Sequence, residues 1–144
     1  VYAFVTDKFF QRKYRGIPEG LLVRIDDAKN YRRIPVDMFQ ISNTLSRTKK
    51  WSDREKVIYG SYRKFAMLRS GYLHKIGKLP ECERYLWFAY RFAPDDVKIL
   101  QNILVVQMEQ EKYDSALHTV DLLEPFLKPG QADILRQDIE RKHP

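Results

Sequence analysis

The chain has one cysteine, Cys82, and three histidines, His74, His118 and His143, in 144 residues. One thiol excludes an internal disulfide and a cysteine-cluster metal site, and leaves the compartment open. Its plain role is that of a small buried residue. The histidines stand too far apart to share a helix turn, so they read as surface or helix-lining polar groups rather than zinc ligands. No glycine-rich phosphate loop, Gly-x-Ser-x-Gly elbow or His-Glu-x-x-His appears. The adjacent acids Asp26-Asp27 and Asp95-Asp96 suit turns and helix caps better than paired acid–base chemistry. We therefore expect no catalytic residue and no cofactor, and do not expect this chain to be an enzyme by itself. Long apolar runs are missing too. A stretch such as Tyr85–Tyr90 is far short of the ~20 residues that span a bilayer. No leader peptide is recognisable, and the first residue is Val1, so the chain reads as a piece of a longer protein.

What is present is charge and aromatic surface. The net charge is +7 and aromatics make up 13% of the residues, which argues against disorder. The charge is uneven: residues 1–100 hold 21 Lys/Arg against 11 Asp/Glu, a balance of +10, and residues 101–144 hold 5 against 8, a balance of −3. A basic front half suits anionic headgroups, nucleic acid, an acidic partner or simply water. A chain of this length buries roughly 70% of its unfolded surface and forms one unit by default. Within it we expect a small α/β segment over residues 1–50 and helices over residues 51–144.

The region from Arg63 to Pro129 nearly repeats itself. Leu79 and Tyr113 are 34 residues apart, as are Cys82 and Ala116, while Pro94 and Pro129 are 35 apart. Each copy runs from an apolar helix through a short polar turn to a second apolar helix and then proline. Gly77 stands where a left-handed C-cap is needed. Pro94 ends a helix, and Asp95-Asp96 begin the next. Small Cys82, Ala89 and Ala116 mark close helix contacts. Over roughly its second half the chain thus resembles a pair of tetratricopeptide repeats. It departs from that pattern at Ser70 and Leu104, where the family usually has a first-helix glycine or alanine, and at Glu111, which replaces the turn glycine. The resemblance implies helical hairpins that bind peptide or protein in a groove lined by their first helices.

Along the chain, Val1–Thr6 and Leu21–Ile25 read as two strands, with turn chemistry at Gly16–Gly20. A hairpin this small must lie on the helices to be stable. Ile34-Pro35 opens a short helix, Val36–Leu45, with Met38, Phe39, Ile41 and Leu45 turned inward. Ser52 and Glu55 form a capping box that starts a helix to about Ile76. Its apolar series is Val57, Ile58, Tyr62, Phe65, Leu68 and Leu73. Pro80 opens the next helix. Asp95–Gln110, Tyr113–Leu127 and a more polar closing helix, Ala132–Lys142, complete a mostly α fold.

Tyr2, Phe4, Glu19, Gly20, Leu21 and Arg24, followed by helical repeats, are similar to the soluble C-terminal tail of bacterial multi-pass membrane proteins that resemble protein O-mannosyltransferases. That resemblance implies an accessory domain of a membrane glycosyltransferase, on the outer side of the cytoplasmic membrane. The cytoplasm is the alternative.

Two candidate surfaces follow. The groove comprises Lys64, Met67, Leu68, Gly71 and His74 from one first helix, and Lys98, Gln101, Asn102, Val105 and Glu109 from the next. Lys64, Lys98 and Asn102 partly echo the family's carboxylate clamp, and Met67, Gly71 and Val105 depart from it. The chain's own N-terminal strands could also fill this groove. The second surface is a basic patch, Arg12, Lys13, Arg32 and Arg33. There cations interleave with aromatics such as Phe9, Phe10 and Tyr14, as in a phosphate-holding, base-stacking surface. No recognised nucleic-acid module accompanies the patch. A non-catalytic interaction or scaffolding module with a protein or peptide partner is the reading preferred over nucleic acid. Apposition of the basic face to an anionic membrane is compatible with it.

Overall fold

The computed structural model describes residues 33–39 and 51–143 with their side chains. It also describes the backbone of three short strands, β1 (Tyr2–Phe4), β2 (Gly16–Glu19) and β3 (Leu22–Ile25). The chain is mostly helical. Five helices are described: α1 (Asp53–Lys75), α2 (Leu79–Phe92), α3 (Val97–Glu109), α4 (Tyr113–Leu123) and α5 (Gln131–Glu140). The strands pair antiparallel in the order β1-β3-β2, with Tyr2 opposite Arg24 and Glu19 opposite Leu22. Gly16–Glu19, read above as a turn, is thus a strand. Pro18 is tolerated there because β2 is an edge strand, where a missing N–H need not interrupt the ladder.

The expected capping box starts α1. The Glu55 N–H donates to Ser52 Oγ at 3.3 Å, and the Ser52 N–H donates to Glu55 Oε2 at 2.8 Å. At the other end Gly77 takes φ +72°, its N–H donates to the His74 carbonyl at 3.0 Å, and the Lys78 N–H donates to the Leu73 carbonyl at 2.9 Å. This is a Schellman turn, which satisfies carbonyls that a helix end leaves open. It recurs 34 residues later. Glu111 takes φ +57°, the Glu111 N–H donates to Met108 at 3.1 Å, and the Lys112 N–H donates to Gln107 at 3.0 Å. The ends of α1 and α3, the starts of α2 and α4, and the starts of α3 and α5 are each 34 apart.

Burial follows the same spacing. Phe65 and Ile99, Ala66 and Leu100, Leu73 and Gln107, Leu86 and Val120, and Ala89 and Leu123 are buried at matching positions. Cys82, Ala89 and Ala116 are buried, as their size at helix contacts predicts. Asp96 is the N-cap of α3, its Oδ1 accepting from the Lys98 N–H at 3.1 Å, which leaves Asp95 in the turn.

Four expectations need correction. In the described part of the helix expected over Val36–Leu45, Val36–Met38 is a 3-10 turn, because Phe39 leaves helical geometry at ψ 89°; residues 40–45, Ile41 and Leu45 among them, lie outside the described residues. Met38 is 69% exposed rather than inward. Val57 (69%) and Ile58 (41%) are also exposed. By the 34-residue register α3 begins level with Arg63, so the first ten residues of α1 project past it, about 15 Å at 1.5 Å per residue. Finally, α4 stops at Leu123 and continues as a 3-10 turn, Glu124–Phe126. Pro125 brings no N–H and clashes with the carbonyl one turn back.

Phe39 does turn inward, its ring 5.2 Å from Phe65, 5.7 Å from Phe88 and 6.1 Å from Tyr62, while the Tyr85 hydroxyl donates to the Ile34 carbonyl at 2.7 Å. At the far end, α5 buries Ala132 and Ile139. Its Arg136 donates to Asp121 at 2.8 Å and Glu124 at 2.6 Å. The outer side of α5 is polar apart from Ile134.

Glu111 is the one non-glycine residue with positive φ among those described. Replacing it with glycine removes the left-handed penalty at the cost of a looser unfolded chain, so Glu111→Gly should stabilise by about 1 kcal/mol, read as a higher denaturant midpoint at unchanged slope. Ala116→Trp should overpack the second hairpin and destabilise by about 1–3 kcal/mol, read by the same titration.

Candidate functional site

Two side-chain contacts tie α1 to α3. Arg63 pairs with Asp96 at the start of α3. Near its end the His74 Nε2 lies 2.8 and 3.1 Å from the two oxygens of Glu109. These partners are 33 and 35 residues apart, bracketing the repeat length. Opposite charges at nearly that spacing were the available signal, and sequence reading missed them as pairs. His74 and Glu109, expected to face a ligand, are thus engaged with each other.

Between the two contacts lie the other groove candidates. On α1, Val57, Gly60, Lys64, Met67, Gly71 and His74 follow alternating steps of three and four residues, which places them on one stripe of a helix. Lys64, Met67 and Leu68 are half-buried and Gly71 is exposed. On α3, Lys98, Gln101 and Val105 occupy the positions 34 residues on from Lys64, Met67 and Gly71, and all three are exposed, as is Asn102. At one end of this face is an open depression of about 710 Å³, with Phe92, Ala93, Pro94 and Val97 as apolar lining and Arg63, Asp95, Asp96 and Lys98 at its polar edge.

Of the basic patch, Arg12, Lys13 and Arg32 lie outside the described residues, and Arg33 is exposed. The described part of the N-terminal segment, residues 33–39, sits against the aromatic face of α1 and α2. His118 is exposed, and the His143 ring packs against Tyr113, with centroids 5.3 Å apart and planes tilted by 54°. Among the described residues no three His, Cys, Asp or Glu side chains gather where they could hold a metal ion. No described helix is long and apolar enough to cross a membrane.

The main polar cluster is interior and was not anticipated. Glu83 on α2 is buried, and its Oε1 accepts from Gln107 Nε2 at 2.9 Å. Its Oε2 accepts from Gln110 Nε2 at 3.0 Å and Lys112 Nζ at 2.6 Å. Thr119 on α4 donates to Gln107 Oε1 at 2.7 Å. One carboxylate thus joins α2, α3, the turn and α4. Burial pushes the Glu83 carboxyl up, but the bonds from Lys112, Gln107 and Gln110 together outweigh it and hold the group below its ordinary value. The neighbouring Cys82 thiol is pushed up to about 11 by burial and by the Glu109 and Glu83 charges. It donates to the Ser70 carbonyl at 3.2 Å. A thiol so protonated is a packing group, not a nucleophile.

Comparison of the chain with protein-family models, curated proteins and solved structures finds no match.

Because the folded Glu83 carboxyl is depressed, its stabilisation is full above the ordinary value of 4.5 and is lost as pH falls through the folded value. Glu83→Gln aims an amide N–H at donors in a buried place and should destabilise by about 1–3 kcal/mol near neutral pH. The gap between the two proteins should close below pH 4.5. Urea unfolding of both across that range measures it.

Proposed function

We propose that this chain is a non-catalytic protein-interaction module of tetratricopeptide-like hairpins, which takes a peptide segment of a partner along the face shared by α1 and α3. The observation that carries this reading is the repeated, partly to fully exposed stripe: Lys64 and Lys98, Met67 and Gln101, and Gly71 and Val105 occupy matching positions on adjacent first helices. Peptide recognition by a fixed helical face needs no mobile catalytic group, only a surface whose side chains are held in register. In this reading the β element packs on the helices, since a small sheet is marginal without such support.

The parent we propose is a larger membrane protein whose soluble domain this is, on the extracytoplasmic side, with a membrane glycosyltransferase as one candidate. The support is the short N-terminal resemblance at Tyr2, Phe4, Glu19 and Arg24; its Gly20 and Leu21 lie outside the described residues.

The test is selection of displayed random peptides on the purified chain, followed by mapping of backbone amide shifts with a selected peptide. Shifts concentrated on α1 and α3 are expected. Failure to retain any peptide, or shifts confined to the outer sides of α2 and α4, would overturn the proposal.

A further inference from the structure

The groove carries an uneven distribution of free and engaged charge. Arg63 and His74 both have carboxylate partners. Lys64 and Lys98, at matching positions on α1 and α3, have no ion pair among the described residues. Beside Lys98, the exposed amides of Gln101 and Asn102 have no side-chain hydrogen bond among the described residues, leaving donors and acceptors for an extended backbone.

The glycines on this face add a second constraint. Gly60 and Gly71 sit in the interior of α1, where glycine costs about 1 kcal/mol relative to alanine. Neither has positive φ, and a Cβ at either would meet nothing within 4 Å. Among the described residues, neither the backbone nor the packing requires them. What they provide is an open strip of helix that another backbone can approach closely. The strip continues past the start of α3 to Val57, which is 69% exposed, and the apolar lining of Phe92, Ala93, Pro94 and Val97 lies at the same end.

The charges at the two ends of the face differ. Glu109, held by His74, puts a carboxylate at the far end, and Asp95 is an exposed carboxylate at the edge of the depression. Lys64 and Lys98 lie between them. We infer that the groove binds the interior of an acidic peptide segment, its carboxylates set against Lys64 and Lys98 and a neighbouring apolar side chain seated in the depression beside Phe92 and Val97. This rests on the reading of the α1–α3 face as a peptide site. Because α1 carries the face about 15 Å beyond α3, the ligand runs through and presents no free terminus to the lysines.

The probes are three synthetic peptides with both ends blocked and one leucine each, rich in glutamate, lysine or glutamine, measured by fluorescence anisotropy. The glutamate peptide should bind about tenfold more tightly than the glutamine peptide. The double variant Lys64→Glu/Lys98→Glu should reverse that order in favour of the lysine peptide. Gly71→Leu should weaken binding, with an unchanged circular dichroism spectrum and melting temperature showing that the fold is kept. If selected peptides bind at α1 and α3 but the three probes bind equally, the acidic class is overturned and the peptide groove stands. If no peptide is retained, both fall. Two further results would each overturn the inference: a glutamate preference that survives the charge reversal, or one that requires an unblocked C-terminus. Anionic vesicles or RNA that bind a glutamate-free complex equally well, and lose binding in the double variant, would likewise assign the lysines to a polyanion and not to a peptide.

Discussion

The left-handed residue after the first helix of each hairpin is the constraint on which the rest of the fold depends. At Gly77 and again at Glu111 one residue crosses to positive φ, and two backbone bonds lock the turn behind it. The next helix can then start only two residues later and must run back along the one before. With both reversals alike, α2 and α4 fall at equivalent positions, and many of the buried residues stand at matching positions in the two hairpins. Glycine accepts this geometry without strain. Glutamate holds it at a cost, so the second hairpin is the more dependent on its packing.

That packing is also the more polar. Where the first hairpin buries Leu73 and Tyr85, the second buries Gln107 and Thr119. These two belong to the chain of bonds ending on Glu83, a residue of the first hairpin. Hydrophobic contact is non-directional, whereas a carboxylate that accepts from three donors fixes both the angle and the depth at which α3 and the following turn meet α2. The α1–α3 face inherits that precision, because Arg63 and His74 reach partners on a helix already placed by the interior.

Much of this architecture was legible in the residues. The repeat length, the left-handed position at Gly77 and its replacement at Glu111, the capping box at Ser52 and the buried small residues Cys82, Ala89 and Ala116 are local or pairwise signals, and each has a direct physical reason. The exposed ends of the pattern were harder to read. Val57 and Ile58 have helical spacing like any core residue, but burial requires a neighbour, and helical spacing does not say where α3 begins. Pro125 marked the end of α4, yet a helix can finish as a tighter turn around proline, so the boundary moved. Of the candidate groove, Lys64, Met67 and Gly71 could be assigned to one stripe from spacing alone. That His74 and Glu109 engage each other, and that Glu83 gathers Gln107, Gln110 and Lys112, depends on three-dimensional distances that no linear spacing encodes.

Arg69 gives the repeat a direction. It is fully buried on α1 with its guanidinium carbon 5.3 Å from the centre of the Tyr72 ring, while the matching residue on α3 is the buried Ile103. Two hairpins of equal length and similar pattern invite exchange: during folding, or between neighbouring molecules, one copy could settle in the other's place. A cation cannot enter the apolar surroundings suited to isoleucine without a large desolvation cost. The difference at this one pair of positions thus labels the two halves. The backbone repeats, but the two hairpins are not interchangeable.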